Sequence, residues 1–302
     1  MKKVKIITAF ILIIIICAIL FSNRQFVPKN YYNKVKTGGN IESKYMSLGK
    51  YDTSKYEEEV MQEAKKYIIY YPSEMENENK KYPVVVFLND IDIPASKYYH
   101  LLEHMASCGF IAVGSESEYD WSGFSSNTTI NHLKNLDSKK KYNDKNNIFY
   151  NSIDLDNVGI TGYSEGAIGV LNAITKSENK DVYKCAVSIS PTNKTLSDRF
   201  EWYYDASLVK SPILLISSDD TSNDSGVSLK QLKSIYNEVS GDKIMMVRKN
   251  TKRDKMIYSA DGYVTAWFMY YLKDDVDASK AFMGDNAEVI NNKLYKDIER
   301  SF

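Results

Sequence analysis

The chain has 302 residues, of which 43% are hydrophobic, 13% aromatic and 26% charged, so it can build a sizeable core and is not a disordered polymer. Lys+Arg and Asp+Glu both number 39, which gives zero formal charge and none of the basic excess of a duplex nucleic-acid binder. Three cysteines (Cys17, Cys108, Cys185) are too few for a disulfide scaffold or a thiolate zinc site, and only three histidines exist, His100, His104 and His132.

At the amino terminus Lys2, Lys3 and Lys5 precede an apolar run over residues 6–21, broken only by Thr8. Sixteen residues rise about 24 Å as a helix against ~30 Å of bilayer hydrocarbon; extension from Val4, with Lys5 snorkelling, closes the gap. Ile19, Leu20 and Phe21 offer no small-residue cleavage site, so residues 1–22 read as an uncleaved transmembrane signal-anchor. The basic flank then places residues 24–302 on the extracytoplasmic side of a cell membrane. Residues 23–60, interrupted by Pro28, Gly38 and Gly39, read as a linker or arm, and residues 61–302 as one domain.

Within that domain short strands are expected at 67–71, 82–88, 110–113, 158–161, 185–189, 213–217 and 244–247. The β-branched run Val84-Val85-Val86 marks a central strand covered on both faces. Helices are expected at 96–107, 127–135, 165–175, 229–239 and 263–272, the last as an amphipathic closing helix. Strands separated by helices imply a largely parallel central sheet with helices on both faces. No dinucleotide fingerprint and no phosphate-gripping loop occurs, so no cofactor is expected.

One motif carries chemistry. Gly162-Tyr163-Ser164-Glu165-Gly166 has the form G-x-S-x-G, entered by an apolar strand and left by a small-residue helix. Such an elbow exposes a serine hydroxyl at the carboxyl edge of a sheet, and a side chain at Gly162 or Gly166 would clash with its neighbours. The N–H of Glu165, at the start of the helix, is placed to hold an oxyanion. A carboxylate is expected after a later strand; Asp220 is the first choice, then Asp219 and Asp224. A serine nucleophile also needs a base, and no histidine follows His132.

From about residue 67 to the end the sequence resembles the α/β-hydrolase superfamily, in the branch of dienelactone hydrolases, cutinases and polyester hydrolases. The resemblance rests on Pro83-Val84-Val85-Val86-Phe87, on the elbow, on the strand into Asp220, and on the stretch from Met256 to Phe268. It implies an α/β-hydrolase fold and carboxylic-ester hydrolysis, with Ser164 as nucleophile, Asp220 as triad acid and Ile91 beside Glu165 in the oxyanion hole. It also implies that the lost histidine stood at Arg253, and that Tyr163 replaces a non-catalytic histidine. Where relatives carry an oxyanion-loop glycine this chain has Asn89-Asp90-Ile91-Asp92, whose carboxylates oppose a developing negative charge.

Two substitutes for the base stand in the right segment, Asp254 and Lys255, and His132 is a third. Tyr119, Trp121 and Phe124 are candidates to line an apolar substrate pocket. The expected activity is thus hydrolysis of a small or polymeric ester-like substrate, weakened or lost with the base. The competing reading is a non-catalytic binding module on the same scaffold. A remoter one is a zinc hydrolase built on His100-x-x-Glu103-His104, which shares one helical face but lacks an evident third ligand.

Overall fold

Val84, Val85 and Val86 are buried at the centre of the strand Tyr82–Leu88, with parallel neighbours on both sides. The structure, a computed structural model, describes residues 25–143, 145–220, 222 and 226–302. Nine strands form one mixed, mainly parallel sheet: β1 (Thr53–Glu59), β2 (Lys66–Pro72), β3 (Tyr82–Leu88), β4 (Ile111–Ser115), β5 (Ile153–Tyr163), β6 (Tyr183–Ile189), β7 (Ile213–Ser218), β8 (Lys243–Arg248) and β9 (Tyr295–Ser301). Their spatial order is β1-β2-β4-β3-β5-β6-β7-β8-β9. Antiparallel pairing is confined to the two margins, β1–β2, β2–β4 and β8–β9.

Alternation along β3 divides the core. Val85 and Phe87 face one layer, with Leu101, Leu102 and Met105 of helix α2 (Ala95–Ser107) and Trp267 and Phe268 of a late helix, Asp261–Lys273. Val84, Val86 and Leu88 face the other, against α3 (Phe124–Ser138), α4 (Glu165–Ala173) and α5 (Leu229–Glu238). Helices on both faces and a parallel centre are the α/β-hydrolase architecture. The parallel register aligns Leu88 with Gly162, Gly162 with Ser188, and Ile189 with Ile216, so the ends of β3, β5, β6 and β7 converge at one edge. Ligand sites of open α/β sheets lie at that edge.

The late helix Asp261–Lys273, here α6, is not amphipathic in its surroundings. Residues Asp261 to Phe268 are all buried, because the segment before the sheet packs over its outer side. Its short helix α1 (Asn40–Met46) sends Tyr45 and Met46 into the same core, and an added Cβ at Gly262 would lie 2.5 Å from the backbone oxygen of Glu42. Nor does α6 close the chain, since β9 follows as an edge strand. At the other margin β1 already belongs to the sheet, so the fold begins before residue 61.

The membrane expectation is corrected. Among the described residues no helix is long and apolar enough to cross a membrane, and residues 1–22, expected to supply one, lie outside the described residues. The transmembrane element of the fold, the membrane partner and the single-pass placement are accordingly not carried forward. Cys108 and Cys185 are free thiols rather than a disulfide.

Candidate functional site

Strand β5 runs into Gly162 and Tyr163 and turns sharply at Ser164, whose φ of 58° and ψ of −109° are strained for a residue with a side chain. The Ser164 N–H donates to Ile189 O (3.0 Å) and its carbonyl accepts from Thr192 N (3.3 Å), which pins the turn against the end of β6. The glycines are required by contact. A Cβ at Gly162 would stand 2.3 Å from Gly166 O, and one at Gly166 would stand 2.5 Å from Leu88 O and Asn89 O. Ser164 is only 6% exposed.

Arg253 reaches the serine. Asp220 Oδ2, after β7, accepts from the Arg253 N–H (3.0 Å), and Tyr163 Oη donates to the Arg253 carbonyl (3.1 Å). Held at both ends of its peptide unit, Arg253 extends its guanidinium to within 5.4 Å of the Tyr163 ring centre, and its Nη2 donates to Ser164 Oγ (2.8 Å) and Ser190 O (3.2 Å). The side chain is 9% exposed, and its Nε is buried without a partner. Hydrogen bonds from Ser222 and from the Arg253 N–H bring the Asp220 carboxyl down to about 2. Asp220, expected as a triad acid, thus orients an arginine, which cannot accept a proton. Asp219 is engaged elsewhere, by the Asn250 N–H (2.8 Å) and Lys296 (3.3 Å), and Asp224 lies outside the described residues.

The expected oxyanion hole is occupied by the protein itself. Asn89 locks the loop after β3: its Nδ2 donates to Ser115 O and Ser117 O, both at 2.9 Å, its N–H donates to Asp120 Oδ2 (2.6 Å), and its Oδ1 accepts from Tyr98 Oη. The next residue, Asp90, turns its carboxylate onto the Glu165 N–H (Oδ1 to N, 3.2 Å). Burial raises the Asp90 carboxyl above the ordinary carboxylate range, while the Ser164 hydroxyl, the Glu165 N–H, the Arg253 charge and the Ile91 N–H oppose that rise. Of the two amides expected to hold the oxyanion, that of Glu165 donates to Asp90, and that of Ile91 is among the groups that hold the Asp90 carboxyl down.

Glu165 has a side-chain role that the motif does not announce. Its buried Oε1 accepts from the N–H groups of Asp120 (3.2 Å) and Trp121 (3.3 Å), and burial pushes its carboxyl up to about 8, partly offset by the Trp121 N–H. Trp121 thus meets the site region through its backbone, and its carbonyl accepts from Asn172 Nδ2 (2.7 Å). Tyr119 and Phe124 are exposed, and Phe124 lines a separate cleft of about 660 Å³ with Thr128, His132 and Tyr142.

Each histidine is committed elsewhere. His132 stacks on Tyr67 with 4.3 Å between ring centres and sits 3.4 Å from Glu58. His100 Nδ1 faces Glu103 (3.2 Å). His104, on the same helix, points into the core: Nδ1 lies 2.8 Å from Asp261 Oδ2 and Nε2 donates to Ser47 O (3.0 Å). The two side chains therefore do not converge, and among the described residues no group of three or more His, Cys, Asp or Glu could hold a metal ion. That geometry removes the zinc reading.

The sequence matches the chlorophyllase family over residues 32–195, more than half of the chain. The match spans the Asp90 loop and the Ser164 elbow and ends before Asp220 and Arg253. It supports the α/β-hydrolase superfamily but not the narrower dienelactone-hydrolase, cutinase and polyester-hydrolase branch. No individual characterised protein matches the chain significantly. With the serine elbow on the carboxyl edge of this sheet, the chain belongs to the chlorophyllase family of α/β hydrolases.

Proposed function

We propose that this chain is a non-catalytic binding module built on an esterase-like scaffold, with Ser164 retained as a ligand-facing hydroxyl rather than as a nucleophile. The observation that carries this reading is the Arg253 guanidinium donating to Ser164 Oγ at 2.8 Å, in the place of a base. An unactivated serine is a poor nucleophile at neutral pH, and a cationic donor on one of its two lone pairs lowers its nucleophilicity further. The filled oxyanion hole supports the same conclusion. A substrate carbonyl would have to take the Glu165 N–H from a carboxylate, and a like charge 4 Å away costs on the order of 4 kcal/mol at an effective dielectric near 20.

A second reading has one observation in its favour. Asp90 accepts from the amide next to Ser164 at 3.2 Å, and burial raises its carboxyl, which makes it a better proton acceptor than an exposed aspartate. In that case the chain hydrolyses an ester-like substrate, with Asp90 as base, Ser164 as nucleophile and Asp220 as the group that orients Arg253. A fluorophosphonate probe separates the two. The binding-module reading expects no labelling above that of Ser164→Ala, whereas labelling that Ser164→Ala and Asp90→Asn both abolish establishes the hydrolytic one.

A further inference from the structure

Arg253 is a buried cation at the bottom of a site whose other donors already hold a carboxylate. Its guanidinium has no carboxylate within 4.0 Å among the described residues, its Nε has no partner, and its Nη2 is bonded only to a hydroxyl and a carbonyl oxygen. Burying a guanidinium without a paired anion is costly, so such a group is a strong attractor for one. The Glu165 N–H meanwhile donates to the carboxylate of Asp90, and the Ser164 hydroxyl, the Arg253 charge and the Ile91 N–H oppose the rise that burial imposes on it. That carboxylate is a stand-in, because the site folds around an anion taken from its own loop. Asp90 is partly exposed and opens onto the exposed residues Ile91 and Asp92, so it is the cover that a ligand has to move aside.

We infer that this site binds a small carboxylate-bearing molecule, its carboxylate on the unpartnered Nε–H of Arg253 and on the Ser164 hydroxyl, with the Asp90 side chain moved aside. The inference rests on the binding-module reading. A bond from a charged, buried guanidinium N–H to a carboxylate is roughly twice as strong as one between neutral groups. A phosphate dianion fits worse, since it would bring a second negative charge beside Asp90 and Asp220. Ser164 supports this occupant in a way it cannot support an ester: its oxygen accepts from Arg253 while its proton is free to donate to an anion. Asp90 carries the same charge beside the Ser164 elbow, so moving it aside lowers the affinity of the unaltered protein.

The test is calorimetric titration of the full-length chain with benzoate and with butyrate, using benzamide as the uncharged isostere. Saturable benzoate binding is expected, with benzamide at least tenfold weaker. Asp90→Asn, which keeps the shape and removes the competing charge, is expected to tighten benzoate at least fivefold, and Arg253→Gln to weaken it at least tenfold. Should Arg253→Gln fail to fold, Asp90→Asn alone decides, because a merely structural Asp90 leaves the affinity unchanged. Absence of benzoate and butyrate binding to both the unaltered chain and Asp90→Asn overturns the inference, as does binding that Arg253→Gln leaves intact. Ester turnover, measured on the same samples, reports on the binding-module reading separately: turnover defeats that reading, whereas silence without carboxylate binding defeats only the ligand class.

Discussion

The Asp90 carboxylate accepts the Glu165 N–H at 3.2 Å, so the amide suited to an oxyanion is bonded to an anion before any substrate arrives. On the binding-module reading, this bond and the Arg253–Ser164 bond are what keep the elbow from working as that of a serine hydrolase. Removing both, as Asp90→Gly with Arg253→His, is expected to raise Ser164-dependent p-nitrophenyl ester turnover by roughly tenfold or more over the unaltered chain. A positioned general base alone is worth roughly 10²–10⁴ in rate. A double variant no faster than its own Ser164→Ala derivative would place the defect elsewhere.

The elbow tolerates no side chain at Gly166, where a Cβ would meet backbone oxygens rather than a movable group. Gly166→Ala is expected to lower stability by about 1–3 kcal/mol, the usual cost of overpacking, seen as a reduced Tm. An unchanged Tm would mean that β3 and α4 separate more easily than their contact suggests.

Glu165 gives stability a pH dependence whose sign follows from its raised carboxyl, at about 8. Between the ordinary carboxylate range and about pH 8 the folded chain holds a proton that the unfolded chain has released. Its contribution to stability therefore falls as pH rises through that window, by at most about 1.4 kcal/mol per unit. Glu165→Gln keeps the Oε1 acceptor and removes the ionisation, so urea melts from pH 5 to 9 should show a flatter profile and a gain at the alkaline end. Parallel profiles for the two proteins would contradict this.

Inside the α6 layer, Asp261 joins His104 (2.8 Å) to Tyr31, whose hydroxyl donates to the same carboxylate. The residues before the sheet are thus tied to α2 and α6 by a buried ionisable pair. Removing one member leaves the other buried and unpaired, so Asp261→Ala is expected to cost about 3–5 kcal/mol in urea melts. A loss well under 1 kcal/mol would show that the network is wet.

The inner strands and the elbow were legible because burial on both faces demands continuous apolar runs such as Val84-Val85-Val86, and because a serine between two glycines after a strand has few other uses. The margins were not. β1 carries Glu57, Glu58 and Glu59 and β9 carries Lys296, Asp297, Glu299 and Arg300, runs of charge suited to edge strands that sequence periodicity does not distinguish from loop. The amphipathic expectation for α6 failed because tertiary packing covers its outer face with the preceding segment. In the site, the missing histidine and the misplaced aspartate could be read directly. The inward turn of Asp90 and the aim of Arg253 could not, since both depend on long-range bonds, from Asn89 to Ser115 and Ser117 and from Arg253 to Asp220.

The most direct measurement is the rate of p-nitrophenyl ester hydrolysis by the unaltered full-length chain beside Ser164→Ala. With arginine on the serine oxygen and aspartate in the oxyanion hole, the two rates should coincide. A rate for the unaltered chain many times that of Ser164→Ala would contradict the binding-module reading.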